Sequence, residues 1–251
     1  MVPAMYAFLR RPRWVIATSV VVVLAGVFVN LGLWQLRRLE EARQRNDLLA
    51  ARLALPPEDL DVMLQAVGED LPAIEYHPVR VSGVFDPSGE VLLRSRTLDG
   101  VAGFHVVTPL VTGGGNAVLV NRGWVPMEMD QPPVPAAPPD GRVVVEGLIR
   151  LSQERSGLGP ADPAEGELAL LSRLDIPRIQ QQTDDNLAPV SVDLSSVDPD
   201  TAGDLPIPIG PPPVDDEGNH LAYAIQWFAF MVVGVVGYVI LVRRSARSGA
   251  G

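Results

Sequence analysis

"GFHVVTPLVTGGGNAVLVNRGWVP", Gly103 to Pro126, decides the fold of this chain. Two runs rich in valine flank Gly113-Gly114-Gly115-Asn116. Branched side chains crowd a helix but pack well on a pleated sheet, and glycine supplies the positive φ of a tight reversal. The stretch therefore predicts a β-hairpin. Upstream, "HPVRVSGVFD" alternates Val79, Val81, Gly83 and Phe85 and ends in the turn Asp86-Pro87-Ser88-Gly89. "EVLLRSRT" follows and closes at Asp99-Gly100; downstream, "GRVVVEGLIRL" and "PVSVDLSS" read as further strands. "QPPVPAAPPD", "GLGPADPAEGE" and "GDLPIPIGPPP" are too rich in Pro and Gly for regular structure. Roughly six short strands and few long helical patterns predict an antiparallel β-barrel or sandwich-like domain over residues 74–213.

The ends of the chain read differently. Trp14 to Leu36 and Leu221 to Val242 contain no charged residue. At about 1.5 Å per residue each is about 33 Å long, against a bilayer core of about 30 Å. Trp14 and Trp34 bracket the first run, and Tyr223 and Trp227 stand near the start of the second, all at interfacial anchor positions. A cleaved signal peptide is the other reading of the first run, but the apolar stretch continues well past Val23-Leu24-Ala25, the loose match to a cleavage site. Transmembrane helices over 14–36 and 221–242 are therefore expected to flank the β-domain. A helical linker over 37–73 and a short linker over 214–220 join them, with tails at 1–13 and 243–251. Pro56-Pro57 ends the first helical pattern, and "EDLDVMLQAV" reads as a second short helix.

Charge supports this division. All 30 acidic residues lie between Glu40 and Glu217, and the middle of the chain, Arg37 to His220, nets −16 with its 14 arginines; the first 36 and the last 31 residues carry six arginines and no acid. The positive-inside rule puts both tails in the cytoplasm and the acidic middle outside. That middle would repel phosphate, so nucleic acid is not an expected partner. The absence of cysteine excludes disulfides, thiol nucleophiles and thiolate metal sites. A chain with no lysine and many Ala, Gly, Pro and Val fits a high-GC bacterial genome, hence a bacterial plasma membrane.

Catalytic patterns are missing. No G-x-S-x-G, H-E-x-x-H, Walker loop or G-x-G-x-x-G occurs, and the chain is not expected to be an enzyme. "GLGPAD" lacks the strand and helix of a phosphate loop, and "DDEGN" is too short for a calcium loop. Asp184-Asp185 and Asp215-Asp216 read as solvated loop surface. Met127 and Met129 hint at soft-metal ligation only faintly without Cys or His beside them. "LVNRGWVP" reads either as an exposed contact surface or as a strand end with Trp124 in the core.

"NHLAYAIQWFAF", Asn219 to Phe230, sets polar handles at one end of the second span. On a helix His220, Tyr223 and Trp227 share a face, with Ala224 between them. Two readings stand open. One is an interfacial belt with Asn219 as N-cap; the other is a planar aromatic ligand lying against Tyr223 and Trp227 with His220 as axial metal donor. Gln226, more than a turn into the span, is expected to face protein or ligand rather than lipid, as is Gln35 at the outer end of the first span.

Taken in order, "NLGLWQLRRLEEA", "YHPVRVSGVFD", "GFHVVTPLV", "AVLVNRGWVP", "VEGLIR" and "GNHLAYAIQWFAF" resemble signatures of the Surf family, the surfeit-locus cytochrome c oxidase assembly factors. The resemblance covers the chain from Asn30 onward. It implies two transmembrane helices around a large extracytoplasmic domain, and a non-enzymatic role in maturing oxidase subunit I, with other oxidase subunits or assembly factors as partners. It also implies heme a, held transiently, with His220 as the metal ligand and Trp227 in the matching Trp position; Tyr223 and Gln226 complete the expected cofactor-binding set. The alternative is an adaptor that stabilises an assembly intermediate without binding heme. A membrane-anchored hydrolase has no nucleophile motif to support it.

Overall fold

A proline at the first helical position has no N–H to lose and a φ already suited to a helix. Helix α1 (Pro12–Leu53) begins in this way and runs 42 residues without a break, about 63 Å. It stops just before Pro56-Pro57, where Ala54 and Leu55 make the last turn's backbone bonds. The apolar span and the polar "RRLEEARQRNDLLA" are thus one continuous helix. This computed structural model describes residues 9–153, 161–200, 203–214 and 218–248. The chain forms two units, Met1–Leu48 with Pro213–Gly251, and Leu49–Pro212.

In the first unit α1 meets helix α4 (His220–Ser248). Five side-chain meetings define the pair: Thr18 with Tyr238, Phe28 with Phe230 and Trp227, Gly32 with Phe228, and Gln35 with His220. Numbers rise on one helix as they fall on the other, so the helices are antiparallel. The contact residues Phe28, Gly32 and Gln35 recur every three or four positions, the spacing that keeps one stripe facing a partner helix. Both helices are long and apolar enough to cross a membrane.

The second unit is built on one sheet. Its strands are β1 (Glu58–Asp59), β2 (Pro78–Phe85), β3 (Val91–Leu98), β4 (Val101–Gly113), β5 (Asn116–Pro126), β6 (Arg142–Leu151), β7 (Leu170–Leu171) and β8 (Asn186–Asp198). They lie in the order β1-β2-β6-β8-β5-β4-β3-β7. The Asp99-Gly100 and Gly114-Gly115 turns form the hairpins β3–β4 and β4–β5, with positive φ at all four residues. Helix α2 (Leu60–Val67) is capped by Asp59, which accepts from the backbone N–H groups of Asp61 and Val62. A shorter helix, α3 (Ile176–Gln180), precedes β8.

The expected all-antiparallel barrel or sandwich is corrected here. The sheet is mixed: β1–β2, β3–β7 and β5–β8 are parallel. Turn residues announce reversals between neighbouring strands, but β5 and β8 are joined through β6, β7 and α3, a connection long enough to bring the chain back in the same direction. A two-residue pairing of Val84 and Phe85 with Val111 and Leu110 also ties β2 to β4, so the sheet curls on itself. Its inner face carries Val79, Val81, Phe85, Val118, Val120, Val143, Val145, Val190 and Val192, with Leu60 and Met63 of α2 packed against them. Behind β5, Ala117 and Leu119 pack under Leu171, Leu174 and α3's Ile176 and Ile179. Covering both faces explains why β4 and β5 read as nearly unbroken apolar runs rather than alternating ones.

Candidate functional site

Helix α4 starts where the Asn219 carbonyl accepts the Tyr223 N–H at 3.1 Å. His220 is its first residue, and His220 Nδ1 lies 2.9 Å from Gln35 Oε1 on α1. An amide oxygen only accepts, so Nδ1 carries the hydrogen and donates it. In a neutral ring this leaves the lone pair on Nε2. Metal-binding histidines are commonly oriented in this way, by giving the other ring N–H to a carbonyl or carboxylate. Nε2 lies beside Gly218, where an added Cβ would come within 3.4 Å of it, and Gly218 has φ +63°. A side chain there would both strain the backbone and crowd the ring's acceptor nitrogen.

One turn deeper the helices come closest. A Cβ on Gly32 would lie 2.7 Å from the Phe228 ring, so only glycine fits under that ring as it stands. Ala224 is fully buried. Trp227 stacks on Phe28 with ring centroids 5.8 Å apart and 25° between planes, and meets Phe230 edge-on at 5.9 Å. An aromatic trio thus lies just beneath the His220–Gln35 pair.

Of the residues singled out in the sequence, the structure brings His220 and Trp227 into the contact with α1. Tyr223 is 49% exposed. Gln226 is exposed as well: six residues beyond His220, it sits about 240° further round the helix, off the contact face. Gln35 is therefore the amide that meets the histidine. Trp34 is also exposed, with the Arg38 guanidinium 5.7 Å from its ring. Sequence reasoning missed Phe28 and Gly32 as partners of α4. The only signal for them was spacing, since Phe28, Gly32 and Gln35 fall on one stripe.

"LVNRGWVP" presents no exposed surface, because Leu119 to Val125 are all buried. Arg122 pairs with Glu90 at 3.2 Å and donates to the Ala136 carbonyl. Glu90 also accepts from Thr108 Oγ1 and the Val134 N–H, both at 2.7 Å. Burial pulls the Arg122 guanidinium below its ordinary range, and Glu90 pushes it back up. The pair fastens the Pro-rich 127–140 segment to the sheet. Asn121 donates to Asp193 at 2.9 Å.

Among the described residues no group of three or more His, Asp or Glu side chains converges on a metal position. Met127 is exposed while Met129 packs with Val134, so the two thioethers stand in different surroundings. Asp215-Asp216 and most of the "GLGPAD" stretch lie outside the described residues. A lone imidazole suits an iron whose equatorial ligands come from a macrocycle better than a bare ion, which needs several protein donors.

The chain is similar in sequence to several known proteins. An uncharacterized SURF1-like protein of Mycobacterium tuberculosis is 29% identical over 236 residues, 92% of this chain and 84% of that protein. A SURF1-like protein of Rickettsia felis is 27% identical over 229 residues, 88% of this chain and 94% of its own. Surfeit locus protein 1 of Rattus norvegicus is 28% identical over 215 residues, 79% and 67% respectively. The SURF1 family model matches residues 22–232, a range running from inside α1, through the whole sheet, past Trp227 of α4, and on that match the chain belongs to the SURF1 family.

Proposed function

We propose that this protein assists assembly of cytochrome c oxidase by holding heme a at the outer end of its helix pair, on the way to subunit I. The observation that carries the reading is the His220–Gln35 hydrogen bond, which orients the imidazole and leaves Nε2 as its donor atom. Bound heme would supply an iron able to take a nitrogen donor. His220 would hold that iron, Gln35 would fix the ring, and Trp227 and Phe28 would form an apolar floor. Tyr223 and Gln226, both exposed, are left to meet the ligand's periphery or an oxidase subunit. No step here makes or breaks a covalent bond of a substrate, so the role is a chaperone's rather than an enzyme's. The setting is the bacterial plasma membrane, with both tails cytoplasmic and the sheet domain outside; the arginine tails and acidic middle support that orientation.

The test is purification of the full chain in mild detergent from cells that make heme a. A Soret band is expected, and His220→Ala loses it while the protein level holds. Absence of heme together with co-purifying oxidase subunits would favour the adaptor reading instead. A periplasm-active reporter is expected to work when fused near Pro135 and to fail when fused after Arg247.

A further inference from the structure

On the sheet domain a cavity of about 270 Å³ is lined by Leu93, Arg96, His105, Asn121, Arg150 and Asp193, among others. Two irregularities of the sheet build its polar wall. On β3, Leu93 pairs with His105 but Arg96 pairs with Gly103, three steps against two. The extra residue is accommodated at Ser95, a non-glycine residue with φ 60°. Side chains alternate along a regular strand, so Leu93 and Arg96 would point to opposite faces; the bulge turns both onto the cavity. On β5, Gly123 (φ 128°) absorbs a second shift, between the Val106 and Val107 pairings, beside Asn121.

The charges in this wall are unevenly satisfied. Arg150 has Asp193 at 3.8 Å and Glu75 at 4.0 Å, and stacks over Tyr76 at 4.3 Å. Asp193 also accepts from Asn121. Arg96 differs: its guanidinium donates to the carbonyls of Arg94 and Ser172 at 3.1 and 3.4 Å, and no carboxylate pairs with it among the described residues. Burial alone pulls it below its ordinary range. His105, held to about 4 by burial and by the Arg96 charge, adds no charge at neutral pH. Among the lining residues Arg96 and Arg150 face a single carboxylate, Asp193, which pairs with Arg150 and leaves Arg96 over; Leu93, Leu174, Ile209 and Pro212 supply apolar surface beside the polar Ser191 and Gln153.

We propose that this cavity binds the carboxylate of a small apolar monoanion, with the remaining N–H groups of Arg96 as its partner. A guanidinium matches a carboxylate in a planar fork, and an unpaired, partly buried cation gains most from such a ligand. The volume lies at the lower edge of small-molecule sites, which suits an acyl group of about six carbons or one C-terminal apolar residue of a peptide.

The experiment titrates the full-length protein in non-ionic detergent with hexanoate, hexanamide and acetyl-alanyl-leucine as its free acid. Saturable binding of a carboxylate is expected, with hexanamide weaker by about ten-fold or more. Arg96→Gln should remove the discrimination between hexanoate and hexanamide. Arg96→Lys should retain part of it, and Arg80→Gln, on an exposed ion pair with Glu146, all of it. Tighter binding of hexanoate would point to a free acyl carboxylate, tighter binding of the peptide acid to a chain terminus; both support the site. Equal affinity for hexanoate and hexanamide, no saturable carboxylate binding, or unchanged discrimination in Arg96→Gln would overturn it. If Arg96→Gln does not fold, thermal stabilisation of the wild-type protein decides: protection by hexanoate and not by hexanamide supports the site, and equal or no protection rejects it.

Discussion

Gly32 on α1 lies directly under the ring of Phe228 on α4, so close that a β-carbon at Gly32 would fall 2.7 Å from the ring's Cε1 and Cζ atoms. With little hydrophobic driving force between helices inside a bilayer, close packing of small residues against large ones must hold such a pair. Gly32→Val is expected to destabilise the helix pair by about 1–3 kcal/mol, the usual cost of overpacking. Phe228→Ala in the same chain should recover part of that loss. Thermal unfolding in detergent, run as a double-mutant cycle, measures it, and strictly additive effects would count against the contact.

The amides Gln35 and Gln226 should behave differently. Gln35→Leu removes the acceptor of the His220 N–H, and on the proposed heme role it is expected to weaken or shift the heme spectrum at matched protein level. Gln226→Leu, on an exposed face, should leave the spectrum unchanged. Gln35→Glu keeps an acceptor and should restore the signal. Identical spectra for Gln35→Leu and wild type would remove the orienting role.

Glu90 and Arg122 are 1% and 4% exposed at their side chains, and each is satisfied by further hydrogen bonds. Removing one partner leaves the other charge buried, at a cost of about 3–5 kcal/mol. Glu90→Ala is therefore expected to lower the unfolding midpoint of the sheet domain far more than Arg80→Ala, whose exposed pair contributes at most about 1 kcal/mol. Urea titration monitored by tryptophan fluorescence checks the ranking.

His105 gives the domain a pH dependence of definite sign. Its folded pKa, about 4, lies below the ordinary 6.5 because of burial and the nearby Arg96 charge. Between those values the unfolded chain binds more protons, so stability is lost as pH falls through this window. His77, lowered by burial and by Arg52, acts in the same sense. Asp193, raised by burial, acts oppositely, its contribution fading as pH rises through its folded value. The wild-type urea midpoint is expected to fall more steeply from pH 6.5 to 4 than that of His105→Gln.

Much of this protein is determined by local sequence. The uncharged apolar runs Trp14 to Leu36 and Leu221 to Val242 make the apolar parts of α1 and α4, because runs of that length exceed any strand here and suit a helix. Pro56-Pro57 ends α1, and Asp99-Gly100 and Gly114-Gly115 reverse the chain, because φ preferences act on one or two residues at a time. The placing of His220 and Trp227 on one face of α4 follows from the 3.6-residue period alone.

Tertiary structure decided the rest. Whether β5 and β8 run parallel depends on where a long connection lays the chain down, and no local preference encodes that. The burial of "LVNRGWVP" depends on Glu90, 32 residues upstream, and on the adjoining 127–140 segment folding back, both of which satisfy Arg122. Gln35 and Gln226 are alike in sequence setting, one beside Trp34 and one beside Trp227. The rotation of α4 against α1 brought Gln35 to the histidine and turned Gln226 outward, because a helix offers only one stripe to its partner and packing selects which.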